Sequence, residues 1–231
     1  MATLSRSSVS ADNSCLFTAV ARLCEGVEAE IALKTAGRRL RGVCAEAVLA
    51  DPDPTTRAVL LGHDSVDAYS AWIRNDHHWG GEPEILMLAQ HFSVEINVAS
   101  CESLSFLRYA PESPRGRVYL LYTGQHYDPL VGTDGTLVLP CGDGPEGAAS
   151  TATLEASALE ICRTHIADAR RRALEKRVKR LKCLGCGAIL NDAAAFQVSP
   201  ARPVLAHSRA SATHCLSRMP ACAPMPSRPI P

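Results

Sequence analysis

At 231 residues the chain has room for one full core and an appendage, and no apolar run in it is long enough to cross a membrane as a helix. Its 24 basic and 24 acidic residues cancel, which excludes a protein-wide field that would draw in nucleic acid or a membrane surface. No basic segment leads into an apolar run at the N-terminus, so no secretory signal is read; the ten cysteines are expected as reduced thiols in the cytoplasm, with the nucleus as a second compartment.

Residues 1–8 form a short polar lead with little to read. The stretch Ser10-Ala11-Asp12-Asn13-Ser14-Cys15-Leu16-Phe17 carries more. Asp12, Asn13 and Ser14 are helix-capping types, and Leu16, Phe17, Val20, Leu23 and Cys24 follow at the spacing of one helix face, with Gly26 as its stop. Cys15 therefore falls where a helix start gathers unpaired N–H groups and partial positive charge. That field favours thiolate over thiol, and the same amides can hold an oxyanion. Alone, such a cysteine is usually just a small buried apolar side chain, so the case for a nucleophile requires a matching base downstream.

A second helix is expected over 28–50, with Ile31, Leu40, Val43 and Val48 apolar and Arg38, Arg39 and Arg41 on its solvated side. Asp51-Pro52-Asp53-Pro54 breaks it, a short helix covers 55–61, and Ser65 caps another with Val66, Tyr69, Trp72 and Ile73 facing inward. The loop 74–81 follows. Adjacent His77 and His78 seldom reach one ion and read as loop packing, whereas Trp79-Gly80-Gly81 makes a wall along which an extended backbone can pass closely. Pro83 starts a helix through Phe92, with Ile85, Leu86, Ala89 and Phe92 buried.

The period then changes. Val94, Ile96 and Val98 alternate with polar residues as a half-buried strand, 104–109 reads as a second strand, and 117–122 is a continuous apolar run suited to a central strand. A further strand is expected at 136–139. Helices precede strands, so the core is expected to be mixed α/β or α+β. His126 lies just past the central strand, and an extended chain puts His126 and Asp128 on one face. A carboxylate beside an imidazole fixes its tautomer and leaves the other nitrogen to take a thiol proton. Pro129 is expected to end pairing on that strand.

The sequence Asp12-Asn13-Ser14-Cys15-Leu16-Phe17, the Trp79-Gly80-Gly81 wall and Gly124-x-His126-Tyr127-Asp128 together resemble the ovarian-tumour (OTU) cysteine proteases, which are deubiquitinases. The wider run Tyr69-x-x-Trp72-Ile73 through Pro83-Glu84-Ile85 and His126-Tyr127-Asp128-Pro129-Leu130 is similar to one subgroup. That subgroup comprises the ubiquitin thioesterases that work with the unfoldase valosin-containing protein in endoplasmic-reticulum-associated degradation. The resemblance implies an OTU-like, papain-type fold, a small central sheet flanked by helices. It makes Cys15 the nucleophile, His126 the base and acid, Asp128 the group that orients His126, and Asp12 part of the loop shaping the oxyanion hole. Asn13, Ser14, Trp79, Gly80, Gly81, Gly124, Gln125 and Tyr127 would contact ubiquitin's narrow C-terminal tail. Ubiquitin and polyubiquitin are the implied partners, and a thioester to ubiquitin the implied intermediate. Valosin-containing protein is a further one, although only eight residues stand ahead of Val9 where the subgroup has its docking domain.

The expected organisation is a lead at 1–8, a catalytic domain at 9–145, a helical extension at 146–182, a partial zinc-finger-like knuckle at 183–197 and a disordered Pro-, Ser-, Ala- and Arg-rich tail at 198–231. Catalysis requires no cofactor. Cys183 and Cys186 make half of a zinc site, and His207 and His214 lie too far on to complete a Cys2His2 finger. The basic run 170–182 is a solvated helix face, and neither nucleic acid nor membrane insertion is expected; the chain is expected to be a monomer. A ubiquitin-binding module or adaptor with weak activity is the competing expectation.

Overall fold

In the computed structural model, which describes residues 3–110, 112, 114–141, 144–178, 181–182 and 189–190, one sheet stands between helices on both faces. The elements in order are β1 (Leu4–Arg6), α1 (Cys15–Glu25), α2 (Glu30–Leu49), α3 (Pro54–Leu60), α4 (Val66–Arg74), α5 (Glu82–Phe92), β2 (Glu95–Ser100), β3 (Ser105–Tyr109), β4 (Arg117–Tyr122), β5 (Tyr127–Gly132), α6 (Gly144–Val178), β6 (Leu181–Lys182) and β7 (Ile189–Leu190). The chain divides into two units, Met1–Ile166 and Ala167–Pro231, and the second contributes the end of α6 and the β6–β7 pair to what is described. The expected zinc ligands Cys183 and Cys186 and the expected tail at 198–231 lie outside the described residues.

The sheet runs β1-β5-β4-β2-β3, with β2 and β4 parallel and the other pairs antiparallel. Alternation explains the apolar run in β4. Val118 and Leu120 pack with the helical cluster of α1, α2, α4 and α5, while Tyr119 and Leu121 face the opposite cluster with Leu154, Ala158 and Cys162 of α6. Those three α6 residues are four apart, one stripe on the helix. The first half of α6 is thus a layer of the sheet rather than an extension beyond it. α1 is buried nearly all round because it packs against α2, α5, β4 and β5.

Several expectations change. The lead is not featureless: Leu4–Arg6 pairs with β5, and Leu4 is buried against α6. Pro129 does not end pairing; it sits within β5 opposite Leu120. Its carbonyl accepts from Ser7 at 3.0 Å, so the side of the strand that lacks an N–H faces the place where β1 has already ended. Residues 136–139 form no strand, only a bridge from Leu139 to Arg117. Leu86 and Ile31 are exposed, and Met87 and Leu88 take up the buried positions of α5.

The largest correction is Arg41, expected in solvent and found fully buried. It lies on the α2 stripe with Gly37, Leu40, Cys44 and Val48, so helical period placed it inward while charge argued outward. Its guanidinium donates to the carbonyls of Asn13 (2.8 Å), Ile73 (3.0 Å), Asn75 (3.1 Å) and His78 (2.7 Å) and to Ser14 Oγ, and it lies 4.4 Å from the centre of the Phe17 ring. Arg38 and Arg39 are on the exposed side as expected. Replacing Arg41 by Met strands those carbonyls in the interior; Arg41→Met is expected to lose about 3 kcal/mol or more of unfolding free energy in urea titration, and an unchanged midpoint would remove Arg41 from this role.

Candidate active site

α1 begins at Cys15, and the turn ahead of it is built by Asp12. Asp12 Oδ1 accepts the Ser14 amide at 2.9 Å, and its carbonyl accepts the Cys15 amide at 3.3 Å. The Ser14 and Cys15 amides are therefore both engaged by Asp12. Ser14 caps no amide; its Oγ turns inward to Arg41. Asn13 Oδ1 accepts the Trp79 indole N–H at 2.5 Å, which joins the nucleophile turn to the loop 75–81.

On the other side, β4 and β5 are joined by 123–126. Gly124 takes φ 95°, which glycine alone adopts freely, and Tyr122 and Tyr127 stack across the strand ends at 4.6 Å. His126 precedes β5, and its Nε2 lies 3.0 Å from Asp128 Oδ1, on the shared face that period two requires. A carboxylate only accepts here, so Nε2 is the donating nitrogen and Nδ1 is the one left free of Asp128. Asp128 is fully buried; the Val9 amide reaches Oδ1 at 3.0 Å, and Arg6 grips Oδ2 with Nε at 2.7 Å and Nη2 at 2.5 Å.

Cys15 meets this segment at the cleft, which it lines together with Gln125 and with Tyr127, the residue between His126 and Asp128. Burial pushes the Cys15 thiol up from its ordinary value of 9.0, the Tyr127 and Leu16 amides pull it down, and the charges of Asp12 and Asp128 push it up again. The helix-start field acts in the expected direction, but desolvation outweighs it. The balance favours thiol over thiolate, and attack then calls for a base to take the proton. Burial pushes Cys24 and Cys162 to about 12 and raises Cys44 as well.

Cys15 opens into a cleft of about 450 Å³ whose wall includes Asn13, Trp79, Gly80, Gly81, Gln125 and Tyr127. Ser14 and Gly124, expected as substrate contacts, are not in that wall; they shape the chain beneath it, Ser14 through Arg41 and Gly124 through its carbonyl, which accepts from Tyr122. Gly80 is glycine for a reason other than the one expected. A β-carbon there would point at the core, 2.8 Å from Phe17 ring atoms and 2.9 Å from Leu16, whereas one at Gly81 would have 3.8 Å to its nearest neighbour. The Gly81 amide is held by Glu84 Oε2 at 2.6 Å, and Glu84, itself buried, also accepts from the Tyr69 hydroxyl. His78 packs as expected, stacked on Trp72 at 4.6 Å. Arg6, Arg41, Tyr69 and Glu84 were not singled out from the sequence as parts of the site; Glu84 alone had a local signal, at the third helical position after Gly81. Among the described residues no group of three or more His, Cys, Asp or Glu side chains is placed to hold a metal ion.

Residues 10–129 match the family described as OTU-like cysteine protease. The chain is 34% identical over 184 residues to ubiquitin thioesterase OTU1 of Danio rerio, covering 77% of this chain and 56% of that protein. It is 39% identical over 128 residues to the Rattus norvegicus protein of the same name, covering 55% of this chain and 36% of the relative. The chain thus spans about half or less of the length of these relatives. Among solved structures, an OTU domain in complex with ubiquitin superposes with a TM-score of 0.57 at 25% identity, over 69% of this chain and 84% of that one.

Two measurements follow from this geometry. Gly80→Ala is expected to lower stability by about 1–3 kcal/mol through overpacking against Phe17, with Gly81→Ala clearly milder; equal thermal shifts would refute the packing account. In His126→Ala, where no imidazole takes the proton, the rate of Cys15 alkylation is expected to climb through a midpoint above 9.0, since desolvation raises the thiol; a midpoint near neutrality in that variant would contradict it.

Proposed function

The chain belongs to the family of OTU-like cysteine proteases, and on that footing we propose that it is a deubiquitinase, hydrolysing the isopeptide bond between ubiquitin's C-terminal glycine and a lysine amine. One observation carries the reading: Cys15 lines the same cleft as Gln125 and Tyr127, the residues that flank His126, and His126 is held by Asp128 at 3.0 Å. The OTU domain solved with ubiquitin supports the substrate class.

The chemistry runs through this chain's own groups. His126 Nδ1 takes the Cys15 proton as sulfur attacks the glycine carbonyl. The imidazolium, held by Asp128, returns that proton to the departing lysine amine, leaving a thioester on Cys15. Water then attacks the thioester with His126 as base, and the carboxylate of ubiquitin leaves with free thiol restored. The walls at 79–81 and 125–127 would receive an extended tail, with the exposed Trp79 ring along one side. The amides of Ser14 and Cys15 must exchange their Asp12 partners for the oxyanion if they serve it. The motif similarity to the subgroup extends the proposal to polyubiquitin on clients of valosin-containing protein in endoplasmic-reticulum-associated degradation, in the cytoplasm. A structural zinc at Cys183 and Cys186 rests on their spacing alone and is checked by metal content per chain with and without Cys183→Ser.

A ubiquitin probe carrying a C-terminal electrophile is expected to label the protein at Cys15. Cys15→Ala is expected to abolish labelling, and His126→Ala and Asp128→Asn to cut di-ubiquitin cleavage by roughly 10³-fold or more. Tight ubiquitin binding with no labelling of the intact protein would replace the hydrolase with a binding module.

A further inference from the structure

Asp128 has four donors, and only one of them is His126. The Val9 amide and His126 share Oδ1 at 3.0 Å each, while Oδ2 is taken by two nitrogens of Arg6. A carboxylate held in this way cannot swing off the imidazole. Two charge-assisted contacts on Oδ2 and an amide on Oδ1 restrain the carboxylate at both of its oxygens, which the imidazole contact alone does not do. Arg6 is in turn fixed from both ends. Its backbone is paired with Leu130 in the β1–β5 ladder, and its Nη1 lies 3.0 Å from His165 Nδ1 on α6. Its side chain is one-third exposed, whereas that of Asp128 is wholly buried, so the cation reaches the buried carboxylate from solvent. Without Arg6 the carboxylate would keep the Val9 amide and the imidazole only, in a site too buried for water to replace a guanidinium freely.

We infer that Arg6 is a positioning residue of the hydrolytic site: acting through Asp128, it holds the His126 imidazole in the orientation that serves Cys15, which makes β1 part of the catalytic unit. The inference rests on the cysteine hydrolase reading above and names a further member of that same site. Arg6 touches neither sulfur nor substrate in this role.

The test uses a reagent that needs no ubiquitin. Iodoacetamide alkylates Cys15 as sulfur displaces iodide and the thiol proton passes to His126; the rate is followed on the Cys15 peptide by mass spectrometry in the full chain. His126→Ala sets the unassisted rate. Arg6→Ala is expected to slow Cys15 alkylation by about 10- to 100-fold, the range for a lost hydrogen bond to a charged group. Guanidinium ion at sub-denaturing concentration is expected to restore part of the rate in Arg6→Ala and none in His126→Ala, a rescue that a purely structural role of Arg6 would not give. A wild-type rate in Arg6→Ala, or a slowed rate that guanidinium leaves unchanged, overturns the inference. Should Arg6→Ala show no cooperative melt, Arg6→Gln takes its place: a slowed Cys15 rate supports the inference and an unaltered rate overturns it. Failure of the intact protein to cleave ubiquitin while its Cys15 alkylation still depends on His126 would strike the substrate assignment alone.

Discussion

A guanidinium buried among carbonyl oxygens sets the geometry of the cleft. Arg41 leaves α2 and meets the turn ahead of Cys15, the end of α4 and the chain just before Trp79. A buried charge is tolerated only when its donors are met, and here backbone oxygens and Ser14 meet them. Burial draws the Arg41 pKa down, and the charges of Asp76, Glu84 and Asp12 act against that loss. Two stretches distant in sequence, 13–14 and 73–78, are thereby held against α2, and each leads into a wall of the cleft. The Phe17 ring beneath the guanidinium ties the same residue to the core of α1.

How far the sequence could be read depends on whether the signal was local. Cys15 at a helix start, the His126-x-Asp128 pair and the continuous apolar run of β4 are all local patterns, and each folds as its period dictates. Arg41 was misread because two rules conflicted, and helical period prevailed over the preference of charge for water. Arg6 carried no local signal at all. Its meaning comes from a carboxylate more than a hundred residues away, and three residues make too short a strand to announce themselves. Pro129 was misjudged because the rule against proline in strands concerns one side of the strand only, and which side is a matter of topology.

The electrostatics of Cys15 show a comparable balance. Amides at the helix start and at Tyr127 favour negative sulfur, but a site closed enough to order them also strips the sulfur of water. Cys24, Cys44 and Cys162 are desolvated and show no comparable amide donors from another strand. Reactivity is thus separated from mere abundance of thiols by the company each sulfur keeps.

The packing of Gly80 against Leu16 and Phe17 has a further meaning for how the cleft adapts. Its floor is seated on α1, a helix buried along nearly all of its length, and has no slack. The indole of Trp79, more than half in solvent, is steadied by a single bond to Asn13. Any give in this wall then lies in the rotation of one aromatic side chain over an unyielding base, and not in the backbone that carries it.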